Sequence, residues 1–365
     1  MDVITETEPL RTTCKALRKC AYVAIDTEFM RDKTYWSKLC LVQLAGEGIE
    51  AIVDPLADID LAPLIELLAD QNVVKVFHAG RQDIEIFYHM AQMIPAPVFD
   101  SQVAAMVCGF GDSVSYDNLV RRLTGAQIDK SSRFTDWARR PLSERQLNYA
   151  MADVTHLRVV YERLSKELEK TGRISWLDEE LSVPTSESTY DLSPERAWER
   201  VKAKPKSKRA LAALIEIAAW REVEAQRIDV PRNRVLKDEA LVEIANNLPK
   251  SEADFAMLRA LPRGFERSKG ARGLLEAIER GRHRPAESVP KPRQRESLPE
   301  RLSPIVDLLR VVLRLQSKRH RVAQRLIATA EDLEQIARND DADVAALSGW
   351  RHELFGSLAL DVKHG

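Results

Sequence analysis

Short apolar runs at strand spacing alternate with longer helical ones through the first 170 residues. Tyr22-Val23-Ala24-Ile25 is a β-prone run that stops at the charged Asp26. Leu39 to Ala45 and Glu50 to Val53 predict two further strands on either side of the turn Gly46-Glu47-Gly48. From Leu61 to Ala69 the period lengthens to that of a helix, with Leu64, Leu67 and Leu68 on one face. Val73 to Phe77 predicts another strand and Asp83 to Met90 a helix. Strands that first form hairpins and then alternate with helices predict a mixed sheet covered on both faces. Ser143-Glu144-Arg145-Gln146 has the spacing of a capping box and opens a helix that runs to about Lys170.

Beyond this the periodicity is helical only. Residues 1–180 predict one α/β domain. Residues 181–206, rich in Ser, Pro and Lys, read as a linker, and residues 207–283 as a helical domain with the stripe Leu211, Leu214, Ile215 and Ala218. A second linker over 284–298 precedes a last helical domain over 299–365. Leu241-Val242-Glu243-Ile244-Ala245 is similar to Leu333-Glu334-Gln335-Ile336-Ala337, which suggests a diverged repeat.

Charge changes this picture more than composition does. The 365 residues carry a net charge of −1. Residues 1–190 hold 21 Lys+Arg against 29 Asp+Glu, and residues 191–365 hold 34 against 27, so the halves stand at −8 and +7. An acidic half suits the collection of metal ions and a basic half the collection of a polyanion. No apolar stretch approaches the roughly 18–20 residues needed to cross a bilayer, and the acidic N-terminus lacks a secretory h-region. Cys14, Cys20, Cys40 and Cys108 show no paired spacing and fit reduced cytoplasmic thiols.

The candidate chemistry is in the acidic half. Asp26 and Glu28 alternate on an extended segment, so they share a side. Asp83 follows a second strand and Asp153 projects from the long helix, four residues after Tyr149 and on its face. Buried carboxylates are costly unless paired or metal-bound. Hard oxygen ligands suit Mg²⁺, and an ion pair about 3.5–4 Å apart activates water and stabilises the leaving oxygen of an in-line displacement.

These segments resemble a known pattern. Asp26-Thr27-Glu28, the lone Asp83 and Tyr149-Ala150-Met151-Ala152-Asp153 are similar to the three motifs of the DEDD 3′–5′ exonuclease superfamily. Tyr149 marks the tyrosine subclass, since the sister subclass would place His where Asn148 stands. The resemblance is closer to the ribonuclease D family. It is carried by Asp26 to Arg31, Leu41-Val42-Gln43-Leu44, Val76-Phe77-His78-Ala79, Asp129-Lys130-Ser131-Ser132, Asp136 to Leu142 and Gln146 to Val154. Leu211 to Ile278 resembles the helical HRDC domain, through Ala219-Trp220-Arg221-Glu222 and Val230-Pro231-Arg232 to Glu239.

The resemblance implies a ribonuclease H-like α/β exonuclease domain followed by all-α HRDC-type domains, the last degenerate. It implies two Mg²⁺ or Mn²⁺ ions on Asp26, Glu28, Asp83 and Asp153, with Tyr149 positioning the attacking water. The expected reaction is hydrolysis of single-stranded RNA 3′ ends, as in tRNA precursors, to nucleoside 5′-monophosphates by a cytoplasmic monomer. Phe29, Tyr35, His78 and Gln82 are candidates for contact with the RNA end. Lys206, Lys208 and Arg209, in a run that also holds Lys202 and Lys204, and Lys318, Arg319 and Arg321 are candidate phosphate contacts. Two other readings stay open at this point: a DNA 3′–5′ exonuclease on the same fold, and a non-catalytic RNA-binding scaffold.

Overall fold

The apolar runs of the first hundred residues pair into one sheet in the computed structural model, which describes residues 2–203, 205, 207–291 and 298–365. Its strands are β1 (Val3–Ile4), β2 (Tyr22–Met30), β3 (Lys38–Gly46), β4 (Ile49–Val53), β5 (Val74–Phe77) and β6 (Val98–Asp100), in the order β1-β4-β3-β2-β5-β6. β4 runs antiparallel to β3 and parallel to β1, while β2, β5 and β6 are parallel neighbours. The sheet is therefore mixed, as the alternating pattern requires. Helices α1 (Thr7–Leu17), α2 (Ala62–Ala69), α3 (Arg81–Ala91), α4 (Ser101–Val107), α5 (Tyr116–Thr124), α6 (Glu144–Thr171) and α7 (Ile174–Leu181) complete this part. Val23, Ile25, Leu41, Leu44, Ile52, Phe77 and Phe87 are fully buried in its core.

One expectation fails here. β2 does not stop at Asp26 but continues through Glu28 to Met30. The ladder is built from backbone groups, so a carboxylate with room on one face does not end it.

Helices α8 (Lys208–Arg227), α9 (Arg232–Val235), α10 (Asp238–Asn247) and α11 (Lys269–His283) form the basic region's first bundle. Leu211, Leu214, Ile215 and Ala218 are buried against Leu241, Ile244, Leu274 and Ile278, so the apolar stripe read from the sequence faces the core. Gly281 lets α11 meet α8 backbone to backbone, since a Cβ there would lie 2.6 Å from Ala213 Cα. Part of the stretch expected as a linker is packed: Tyr190, Ala197 and Val201 are buried. Its Ser and Pro content masks these three apolar anchors. Lys204 and Lys206 lie outside the described residues.

The chain ends in α12 (Ser303–His320), α13 (Gln324–Ile327), α14 (Ala330–Arg338), α15 (Gly349–Arg351) and α16 (Ser357–His364). Compact units divide the chain into Met1–Phe29, Leu39–Thr189 and Ser297–Gly365 on the one hand, and Met30–Lys38 with Tyr190–Glu296 on the other. The C-terminal helices thus belong to the sheet-bearing unit. Trp350 stacks on Trp176 at 4.2 Å between ring centroids, and Arg351 pairs with Glu179 and Glu180. Among the described residues, no helix is long and apolar enough to cross a membrane.

Candidate active site

Three elements of the first unit bring the acidic motifs together. Asp26 and Glu28 project from β2, and the register that sets Ala24 beside Val76 carries Asp26 past the end of β5. Thr27, buried between them, donates from Oγ1 to the Asp83 carboxylate and so ties α3 to β2. Asp83 lies in the first turn of α3, the place where a helix favours negative charge. The turn before it is tightly defined. Ala79 takes a left-handed φ of 55°, and the backbone N–H groups of Ala79 and Gly80 donate to Asp100 at 3.0 and 2.9 Å. A Cβ on Gly80 would lie 2.4 Å from Phe77 Cβ, so only glycine fits.

Asp100 also accepts from the N–H groups of Gln102 (2.8 Å) and Val103 (3.4 Å) at the start of α4. One buried carboxylate therefore fixes both the turn that aims Asp83 and the helix that follows β6.

Asp153 comes from α6, whose start is held by the reciprocal capping box of Ser143 and Gln146. The Tyr116 hydroxyl donates to the Asp153 carbonyl oxygen. Tyr149, one turn before Asp153, lies 6.1 Å from the buried Trp137 ring.

Carboxylate oxygens of Asp26, Glu28 and Asp153 all lie within 4.8 Å of one another. Among the described residues none of the four acids stands in a salt bridge. Burial, and then the charges of Asp153, Asp83 and Glu28, push Asp26 well above the usual carboxylate range. Burial with the charges of Asp153 and Asp83 raises Glu28 to about 8, against the pull of Arg133. Burial raises Asp83 and Asp153 to about 7 each, opposed by hydrogen bonds from Thr27 and Tyr149 respectively. Tyr149 is pushed far up as well, by burial and by Asp153, Glu28 and Asp26. Such a cluster gains by exchanging protons for a multivalent cation, and its donors are all hard oxygens of the kind Mg²⁺ and Mn²⁺ take.

The four acids and Tyr149 line one cavity of about 550 Å³, together with Phe29, His78 and Gln82. His78 Nδ1 lies 2.9 Å from Ser101 Oγ, and its ring is 4.9 Å from that of Tyr116. Burial lowers its pKa, so the ring is mostly neutral at pH 7.

The other candidates lie elsewhere. Tyr35 is only 3% exposed, inside the second unit, where its hydroxyl donates to Glu222 and Arg232 covers its ring at 4.8 Å. It therefore has no face for a base, contrary to expectation. A loop position suggested an exposed ring, whereas the buried Glu222 draws the hydroxyl inward. Lys208 and Arg209 are exposed on the first turn of α8, and Lys318, Arg319 and Arg321 at the end of α12, none of them lining this cavity. Lys206 is outside the described residues. Sequence reading passed over Tyr116, Lys130, Arg133 and Phe134, which do line it. Lys130 belongs to a segment already similar to the family, but a lone Arg-Phe pair gave no signal.

Comparison with known proteins decides what this geometry belongs to. A family described as 3′–5′ exonuclease matches residues 1–169, and the HRDC domain family matches residues 210–278. A ribonuclease D of Nitrobacter hamburgensis is 50% identical over 369 residues, covering 100% of this chain and 96% of its own length. The chain belongs to the ribonuclease D family. It is a hydrolase acting as a 3′–5′ exoribonuclease, and it uses divalent metal ions. A ribonuclease D of Granulibacter bethesdensis is also 50% identical, with 100% and 92% covered. The crystal structure of Escherichia coli RNase D, described as an exoribonuclease involved in structured RNA processing, superposes with a TM-score of 0.84 at 29% identity. That match covers 100% of this chain and 99% of the other. Within a ribonuclease D, the acidic motifs at the ends of parallel strands sit where open α/β sheets place their sites.

Proposed function

We propose that this ribonuclease D trims single-stranded 3′ ends of structured RNA, tRNA precursors among them, one nucleoside 5′-monophosphate at a time. The gathering of four carboxylates and a protonated tyrosine in one cavity carries the reading. Asp26, Glu28, Asp83 and Asp153 would hold two Mg²⁺ or Mn²⁺ ions. When bound, such ions supply Lewis acidity and lower the pKa of water. Tyr149 keeps its proton through neutral pH because burial and three carboxylates disfavour the phenolate. With Asp153 engaged by metal, the hydroxyl that donates to it here would be freed to orient the attacking water by a hydrogen bond, and it takes no proton from that water. Attack at phosphorus forms the new P–O bond and breaks the bond to the 3′ oxygen of the shortened strand. That oxygen leaves as a hydroxyl while the attacking water gives up one proton, exchanged through solvent. His78 and Gln82 meet the terminal nucleotide from the cavity wall, and Phe29 offers its ring to the last base.

The helical regions hold the body of the RNA in this reading. The net charge of +7 over residues 191–365 supports it, as do the exposed Lys208, Arg209, Lys318, Arg319 and Arg321. We read 207–283 as an HRDC domain, 299–365 as a degenerate second one, and the protein as a cytoplasmic monomer.

The test is a 5′-labelled RNA with an unpaired 3′ tail, run beside its blunt counterpart and a DNA-tailed version, with Mg²⁺ or with EDTA. The expected result is stepwise shortening of the RNA tail that stops at the duplex, yields 5′-monophosphates and ceases with chelator. Equal attack on the DNA tail, or release that survives EDTA, would refute the reading.

A further inference from the structure

RNA brings a negative charge at every linkage to a cavity that already holds four carboxylates. Among the described lining residues, the Lys and Arg side chains are Lys130 and Arg133. Lys130 Nζ is 2.6 Å from Asp117 Oδ1 and is committed to that ion pair. Arg133 stands in no salt bridge among the described residues. Its guanidinium carbon lies 5.2 Å from the Phe134 ring centroid, and its charge reaches Glu28 and Asp153.

Phe134 is 91% exposed while lining the same cavity, which places it at the rim. The pair is held on a short segment between two anchors. Before it, Asp129 caps the turn Lys130–Ser132 by accepting from the Ser131 N–H, and Ser132 is buried; after it, Trp137 is buried. A water-exposed ring contributes nothing to the core. Covered on one side by a cation, it has its other face open to a planar group.

We infer that Arg133 and Phe134 form a nucleotide subsite at the cavity mouth, the ring stacking on the penultimate base and the guanidinium binding the phosphate beside it. This rests on the exonuclease reading of the carboxylate floor. The scissile phosphate must reach that floor, so the strand on its 5′ side leaves through the mouth and passes the rim. Every base has a π-face, so this contact holds the strand without selecting sequence. The guanidinium offers a planar fork to phosphate oxygens.

The experiment compares wild type, Phe134→Ala, Phe134→Trp and Arg133→Gln on tailed RNAs whose penultimate nucleoside is intact or abasic. Phe134→Ala raises KM on intact RNA by about tenfold to a hundredfold, the range of one lost base stack, with kcat within about twofold. Phe134→Trp restores KM. Removing the penultimate base costs wild type the same factor, and Phe134→Ala then adds no further loss. Arg133→Gln reduces the slope of log kcat/KM against log[salt] by about 0.7, the value for one phosphate contact on a single strand. A Phe134→Ala penalty that persists on the abasic RNA, or an unchanged KM on intact RNA, overturns the subsite. Equilibrium binding of the same RNAs in EDTA repeats the comparison without turnover. Wild type that binds with this base dependence yet releases nothing would sink the exonuclease reading and leave the subsite standing.

Discussion

Metal binding at this site must release protons, because all four carboxyls hold them more tightly than exposed ones do. Asp83 and Asp153 have their pKa raised to about 7 and Glu28 to about 8, against roughly 4 for exposed carboxyls. The sign follows from linkage. A carboxyl whose pKa is higher in the folded state binds more protons there than in the unfolded chain, so stability falls as pH rises from about 4 to about 8. A cation that needs the ionised forms must displace those protons. All four carboxyls, Asp26 included, are raised in the protein, so binding near neutral pH expels protons. Apparent metal affinity should then rise with pH through neutrality, by about tenfold per pH unit for each proton expelled. Calorimetric titration of the RNA-free protein with Mn²⁺ at pH 7, in PIPES and in Tris, reads the proton count from the difference in heats. Metal should also raise Tm far more at pH 8 than at pH 5. Equal heats in both buffers, with an affinity flat from pH 6 to pH 8, would refute the electrostatic account of the cluster.

Other expectations follow from individual side chains. Tyr149→Phe should lose about 10²–10⁴ in single-turnover rate, the scale of one positioned group, with metal affinity retained; wild-type turnover would remove Tyr149 from the mechanism. Asp100→Ala leaves four backbone N–H groups without their acceptor. It should cost about 2–4 kcal/mol in denaturant unfolding and lower activity through the displaced Asp83, so a variant as stable and active as wild type counts against that role. Glu222 is fully buried and accepts from Tyr35, Arg200 and Arg232. Glu222→Gln should lower stability by about 1–3 kcal/mol by weakening the charged hydrogen bonds that the buried carboxylate accepts from the partly exposed Arg200 and Arg232, and an unchanged Tm would contradict this.

Much of the site was legible because its chemistry and its local structure write the same residues. Asp26 and Glu28 need strand alternation to face one way, and Ser143 with Gln146 announces the helix that delivers Tyr149 and Asp153. What stayed hidden depends on partners distant in sequence. Asp100 looks like an ordinary helix cap until Ala79 and Gly80, some twenty residues earlier, fold back to it. Tyr35 looks like a loop aromatic until Glu222 claims its hydroxyl. Phe134 gives no periodic signal because its exposed ring belongs to no core face. The tail's place in the sheet-bearing unit rests on Trp176 with Trp350 and on Arg351 with two glutamates, pairings that no local pattern encodes.

Divalent ions held by Asp26, Glu28, Asp83 and Asp153 would meet the scissile phosphate, and replacing one of its oxygens with sulfur puts that to the test. An RNA whose last linkage carries one non-bridging sulfur should, in one diastereomer, be cut at least about a hundredfold more slowly in Mg²⁺. Most of that loss should return in Mn²⁺, which accepts softer ligands. Equal rates for oxygen and sulfur substrates in Mg²⁺, in both diastereomers, would contradict metal contact at that phosphate.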